Sequence, residues 1–241
     1  RPPRSTLFPY TTLFRSSTAD RARRDDRALR TVTGPEVRSA GGTALLATFG
    51  SLADVVAFRA GLAQATLPGL TEVVSGARTL LLRFDPSTTD AGRLRTELTQ
   101  VVPVNASLEA HDTEPLVIPV TYDGDDLDTV TELTGMRRDE LVAWHTGQLW
   151  TSAFCGFAPG FSYLTGSDRP LDLPRRSTAR TAVPSGAVAV AGEFSAVYPR
   201  TSPGGWQLIG RTDVPMWSLE RTPPALAPAG TLVRFVVAGA A

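Results

Sequence analysis

Residues 154–206 gather side chains suited to holding a small polar molecule: the strings FCGFAPGFSYL, LPRRSTARTAVPSGAVAVAG, VYP and SPGGWQLIGRT follow one another there. Arg175 and Arg180 carry planar guanidinium forks, which grip a carboxylate or phosphate through two parallel N–H···O bonds. Each is equally well explained as an ordinary solvated arginine, because charged side chains are seldom fully buried. Tyr163, Tyr198, Ser202 and Trp206 offer hydroxyls to orient a ligand and rings to form its apolar wall. The aromatic members serve just as well as core, given the area that each buries.

Gly156, Gly160, Gly204 and Gly205 mark loops where the chain bends sharply or lets a ligand or another backbone come close. Pro159 and Pro203 stiffen the same loops, and turn chemistry alone would account for all six residues. Just before this region, His145 is the candidate proton carrier, since imidazole titrates near neutral pH; capping the end of a helix is its alternative role. Cys155 has no paired base nearby in sequence and reads as a small buried hydrophobe.

Composition removes several chemistries. All 24 basic residues are arginine, balanced by 24 acidic ones. Without lysine there is no Schiff base, no phosphate-loop lysine and no attachment point for biotin. Two histidines and one cysteine are too few for the common zinc ligand sets, so no metal site is expected. The charge balance gives no long-range field to attract nucleic acid or an anionic membrane. A single cysteine fits a reducing compartment, and no run approaches the roughly 20 apolar residues of a membrane-spanning helix, so a cytoplasmic protein is expected.

The elements that must position these residues fall into two halves. The segment TLFPYTTLFRS is the first-frame translation of a common short-read sequencing adapter, so residues 1–16 are read as an assembly artefact and set aside. Residues 17–36 are charged and poor in large apolar groups, the composition of a disordered tail. From Thr43 a strand (TALLATFG) leads into an amphipathic helix with Ser51 as N-cap. A hairpin follows over residues 70–85, turning at Gly76-Ala77. Asp85-Pro86 is expected to open a second helix over residues 89–101, and LVIPVTYD (116–123) a further strand. The order βαββαβ predicts a ferredoxin-like unit over residues 37–124. Two short helices over residues 125–134 and 137–144, broken at Gly135, read as a connector (125–145). Residues 146–238, rich in Gly, Pro and short β-forming pieces, predict a compact β-barrel. The fold class is α+β.

The strings quoted above, together with AGGTALLATFG, LPGLTEVV and TLLLRFDP in the first half, resemble the family of 5-oxoprolinase B subunits, also called allophanate hydrolase subunit 1, over about residues 37–237. The resemblance implies a ferredoxin-like first part and a cyclophilin-like barrel. It implies one subunit of an ATP-dependent enzyme that opens the lactam of 5-oxoproline to glutamate. Such an enzyme is active only with a related partner of the allophanate hydrolase subunit 2 type and a third, lactam-utilisation subunit. ATP, with magnesium, would be the cofactor at a site shared with the partner, and the family usually carries a histidine where His145 stands. Departures are mild: Ser195 stands where threonine is usual, Ala179 where proline is, and Ser185 where alanine is. The same two-part module resembles the transfer domain of biotin-dependent urea carboxylase, in which biotin would arrive on another chain, and the family includes a non-catalytic inhibitor of a sporulation histidine kinase.

Overall fold

The computed structural model describes residues 34–104, 114–168 and 170–239. The adapter-like stretch, and the charged tail as far as residue 33, lie outside the described residues. Glu36, expected to belong to that tail, already begins a strand.

The first half runs β1 (Glu36–Ser39), β2 (Ala44–Thr48), α1 (Leu52–Gln64), β3 (Leu70–Ser75), β4 (Thr79–Phe84) and α2 (Ala91–Leu98). Its strands form an antiparallel sheet in the order β1-β2-β4-β3. Side chains alternate across a strand, and the register sets Leu45 opposite Leu82 and Ala47 opposite Leu80. That face packs with Val55, Phe58 and Leu62 of α1 and Leu94 and Leu98 of α2 in one buried cluster. Each of the large side chains contributes about 1.5–3 kcal/mol by leaving water. Ser51 is the N-cap of α1: its hydroxyl accepts the Asp54 N–H at 3.2 Å and donates to the Asp54 carboxylate at 2.7 Å. Asp90 caps α2 by accepting from the N–H groups of Gly92 and Arg93 at 2.8 and 3.0 Å. The helix therefore starts later than Asp85-Pro86, where the Asp85 carboxylate instead closes a turn on Ser87 at 2.7–2.9 Å.

The second half contains β5 (Leu116–Val120), α3 (Leu127–Thr134), α4 (Arg138–Thr146), β6 (Trp150–Cys155), β7 (Ser162–Gly166), β8 (Arg180–Val183), β9 (Ala187–Ala191), β10 (Phe194–Val197), β11 (Ser202–Gly204), β12 (Gln207–Arg211) and β13 (Leu232–Val237). Seven of these strands make one sheet, ordered β12-β9-β10-β7-β6-β13-β5, and β8 pairs with β11 in a separate ribbon. Thr121 and Arg211 exchange backbone hydrogen bonds of 2.8 and 2.9 Å. That bridge joins the ends of β5 and β12 and nearly closes the sheet into a barrel.

The expected βαββαβ order is corrected by β5. This strand leaves the first half and pairs in parallel with β13, Ile118 opposite Phe235 and Val120 opposite Val237. The fourth place in the first sheet goes to β1, whose sequence EVRS has one apolar residue and advertises no strand; exposed, short and charged, it has the character of an edge. The observed order of the first half is ββαββα.

Strand β9 (AVAVA) is buried along its whole length. Val188 and Val190 join Ile118, Trp150 and Phe235, with Leu127, Val130 and Leu141 of the two helices. Ala187, Ala189 and Ala191 face the other way, against Phe161, Tyr198 and Trp206. The small residues leave room for the rings. Helices α3 and α4, expected to connect the halves, thus supply core to the barrel, and α3 ends at Gly135 in the left-handed conformation with φ 69°. Among the described residues no helix is long and apolar enough to cross a membrane.

If β5 is part of the barrel, its amides exchange with solvent in step with those of β13 and more slowly than those of α2. Ile118 is wholly buried, so Ile118→Ala is expected to lower unfolding free energy by about 2–4 kcal/mol in urea titrations.

Candidate functional site

The alanine face of β9 carries an array of aromatic rings. Tyr163, on β7, stacks on Phe154 at 4.2 Å between ring centroids and meets Trp206 at 5.5 Å. Phe161 meets Tyr163, Tyr198 and Trp206 edge-on at 5.1–5.5 Å. Such tilted geometries suit the ring quadrupoles. Of the expected pocket residues, Tyr198 and Trp206 are buried and Tyr163 is half-buried. The Tyr198 hydroxyl accepts the Trp206 backbone N–H. It occupies space that only a glycine leaves, since a Cβ on Gly204 would overlap it.

Burial pushes the Tyr163 and Tyr198 phenols above their ordinary range; the Trp206 backbone N–H at Tyr198, and the positive charge of Arg175 at both, partly offset it. Both are therefore neutral donors near pH 7. Arg175 is exposed, and among the described residues it has no hydrogen-bond or ion-pair partner. One free guanidinium near two phenols, over a floor of rings, is an arrangement that takes a small carboxylate or other anion with an apolar body.

The other expected residues are engaged elsewhere. Arg180 is corrected from substrate grip to structural fork: it donates to both oxygens of Asp126 at 2.7 and 3.0 Å, and only 18% of its side chain is exposed. Arg176, adjacent to Arg175, also pairs with Asp126. Ser202 lies on the same ribbon, but its hydroxyl donates to the Arg200 carbonyl at 3.2 Å, within its own turn. Gly160, with φ 82°, sits where a Cβ would come within 2.8 Å of Trp217. Gly156 and Gly205 would meet only ordinary contacts, so they turn the chain without being pressed. Pro159 lies in the loop between β6 and β7, and Pro203 lies within β11, the short partner of β8. In the former loop Phe157 holds φ 68° although it is not glycine, and the residue is 58% exposed. A left-handed aromatic residue is strained backbone.

His145 is wholly buried on the opposite, valine face of the sheet. Its Nδ1 lies 2.7 Å from the Tyr122 hydroxyl and its Nε2 2.8 Å from that of Ser195. Its ring stacks on Phe235 at 4.3 Å, and its carbonyl accepts the Trp150 indole N–H at 2.9 Å. Burial pushes its pKa down to about 3. It is a neutral joint between α4, β10 and the end of β5, in place of the proton carrier expected. Cys155 has its sulfur 3.6 Å from the Ser162 hydroxyl and 3.7 Å from the Ala227 carbonyl.

Sequence reasoning missed Asp126, whose carboxylate is the centre of the arginine ribbon, because an acid before a helix looks like an ordinary cap. It missed Phe161 as well, which only the fold brings between Tyr198 and Trp206.

Comparison with known proteins places these features in context. The family model described as carboxyltransferase domain, subdomain C and D, matches residues 35–227. The Bacillus subtilis protein named as the B subunit of 5-oxoprolinase is 39% identical over 122 residues, which is 49% of this chain and 51% of that protein. Thus the chain matches about half the length of this curated relative. The urea amidolyase of Saccharomyces cerevisiae is 31% identical over 98 residues, 38% of this chain and 5% of the yeast protein. Among solved structures, that of TTHA0988 superimposes with a TM-score of 0.67 and 33% identity, covering 86% of this chain and 41% of that one.

Two outcomes test the site's construction. Gly204→Ala is expected to displace the Tyr198 hydroxyl and, with it, the contact with Trp206, read as a changed near-ultraviolet circular dichroism with the far-ultraviolet signal intact. For His145, the folded pKa of about 3 lies below the ordinary 6.5, so its contribution is complete above pH 6.5 and is lost as pH falls toward 3. Between pH 7 and pH 5 the native protein should lose about 2 kcal/mol more unfolding free energy than His145→Gln, measured in urea at both values.

Proposed function

Because the chain belongs to the family of carboxyltransferase domains, subdomain C and D, we propose that it is one subunit of an ATP-dependent 5-oxoprolinase, opening the lactam ring of 5-oxoproline to glutamate. The observation that carries this reading is its 39% identity to a relative named as the B subunit of 5-oxoprolinase. The site geometry supports it. 5-Oxoproline is a small flat ring bearing one carboxylate, which suits a guanidinium at Arg175, the donors Tyr163 and Tyr198, and the ring floor around Trp206.

Amide hydrolysis needs a group to activate water and one to stabilise the developing oxyanion. Tyr163 and Tyr198 can donate hydrogen bonds, but no nucleophile and base stand together among the described residues at this site. The chain is therefore read as half of a shared site, completed by a related partner of the allophanate hydrolase subunit 2 type, with a third lactam-utilisation subunit. Lactam opening is uphill and is coupled to ATP in this reading. Arg176 and Arg180 are committed to Asp126, and no group of three His, Cys or acidic side chains is poised to hold a metal among the described residues. In this reading the nucleotide with its magnesium is held at a site shared with the partner. The ferredoxin-like and cyclophilin-like descriptions of the two halves belong to the same reading.

A second reading, half of a carboxyltransferase site in a urea-carboxylating enzyme, draws on the similarity to urea amidolyase. The two are separated by co-expressing the chain from Val37 with the genes beside it and measuring ATP-dependent glutamate release from 5-oxoproline. Turnover that falls at least tenfold in kcat/KM with Arg175→Ala is expected. An intact complex that carboxylates urea in the presence of biotinylated protein, and leaves 5-oxoproline untouched, favours the second reading.

A further inference from the structure

Asp126 stands at the N-cap of α3, yet its side chain makes no capping hydrogen bond. It turns instead toward the RRSTAR segment, where the carboxylate, 2% exposed, takes both Arg176 and Arg180 and also accepts the Leu208 backbone N–H at 2.8 Å. Burial alone would raise its pKa. The Arg180 hydrogen bonds, the Leu208 N–H and the two arginine charges outweigh that and hold it below the usual carboxylate range. A helix cap has been given up for a node that ties α3 to β8 and β12.

The node governs the stretch that carries Arg175. On one side of it the Pro174 carbonyl accepts the Gln207 side-chain amide at 3.1 Å. On the other, the Arg176 N–H donates to the Gly205 carbonyl at 2.8 Å. Arg176 is held by its side chain as well as its backbone, and Arg180 is held opposite Gly204 in the ribbon. Arg175 is thus anchored on both sides, while its own guanidinium stays exposed and its charge acts on both phenols.

We propose that Asp126 is a positioning residue of the site: by engaging two of the three arginines of the RRSTAR segment it fixes the backbone from which Arg175 alone reaches a carboxylate-bearing substrate. This role rests on the function proposed above, and its expected signature is opposite to that of simple electrostatics. Removing the Asp126 charge leaves Arg176 without its ion-pair partner and Arg180 with only the 3.5 Å contact to Asp125, and the added positive charge alone would draw an anion in and lower KM. Loss of position should instead raise KM, because a small displacement of a binding group is costly.

The test uses the chain co-expressed with its partner subunits and 5-oxoproline as substrate, comparing Arg175→Ala, Asp126→Asn and Arg176→Met, with thermal melts confirming that each complex is assembled. Arg176→Met keeps the side-chain stem and serves if Asp126→Asn does not assemble. Expected are a KM raised about tenfold by Asp126→Asn and at least threefold by Arg176→Met, with kcat changed less, and recovery of most of the KM by Asp126→Glu. If Arg175→Ala raises KM but neither of the other variants does, or if they lower it, Asp126 is structural only and the inference is overturned. If Arg175→Ala itself leaves KM unchanged, the reading of the site fails, and the inference with it.

Discussion

A strand buried on both faces can satisfy neither core without constraining the other. β9 offers valines to the face covered by α3 and α4, and alanines to the face covered by rings. A one-residue slip of its register would drive Val188 and Val190 into the aromatic array and leave voids opposite Trp150 and Phe235. Because β9 lies between β10 and β12, its register also sets theirs, and with them Tyr198, which follows β10, and Trp206, which precedes β12. The candidate site is in this sense a surface expression of the way one five-residue strand is packed.

Two buried ionisable groups of the second half are handled in opposite ways. His145 is kept neutral by burial and satisfied by two hydroxyls, so it costs little at neutral pH. Asp126 is kept charged, which is tolerable only because two guanidiniums and a backbone N–H surround it. Single changes at these positions differ accordingly. Loss of the histidine removes hydrogen bonds, whereas loss of the aspartate charge strands Arg176 and leaves Arg180 only its longer contact with Asp125.

Much of this was legible in the sequence, for identifiable reasons. The strand alternation of β4, the hairpin turn at Gly76-Ala77, the Ser51 cap and the helix break at Gly135 are local patterns, and local patterns report local geometry. The motif strings between residues 154 and 206 resemble a known family, and the match over residues 35–227 agrees. Partnership was not legible. LVIPV reads as a strand whichever sheet receives it, and only its pairing with β13 reveals the destination. Arg175, Arg176 and Arg180 are alike as letters; which of them is free depends on where Asp126 arrives from, 50 residues upstream of Arg176. Ser202 and Gly204 sit two apart on one short strand, yet Gly204 matters through the atom it lacks, and the Ser202 hydroxyl is spent on its own turn.

The parallel pairing of β5 with β13 also has a temporal side. During synthesis β5 leaves the ribosome more than a hundred residues before the strand that will cover it. The first sheet and its two helices need only contacts within a contiguous stretch and can assemble as they emerge. The barrel must wait, holding Ile118 and Val120 without their partner until β13 appears. Non-local pairings of this kind slow folding and leave an apolar strand open to other chains in the interval. Pro119, which has no N–H to offer a foreign strand, lies in the middle of β5, where it makes that waiting edge a poorer template for aggregation.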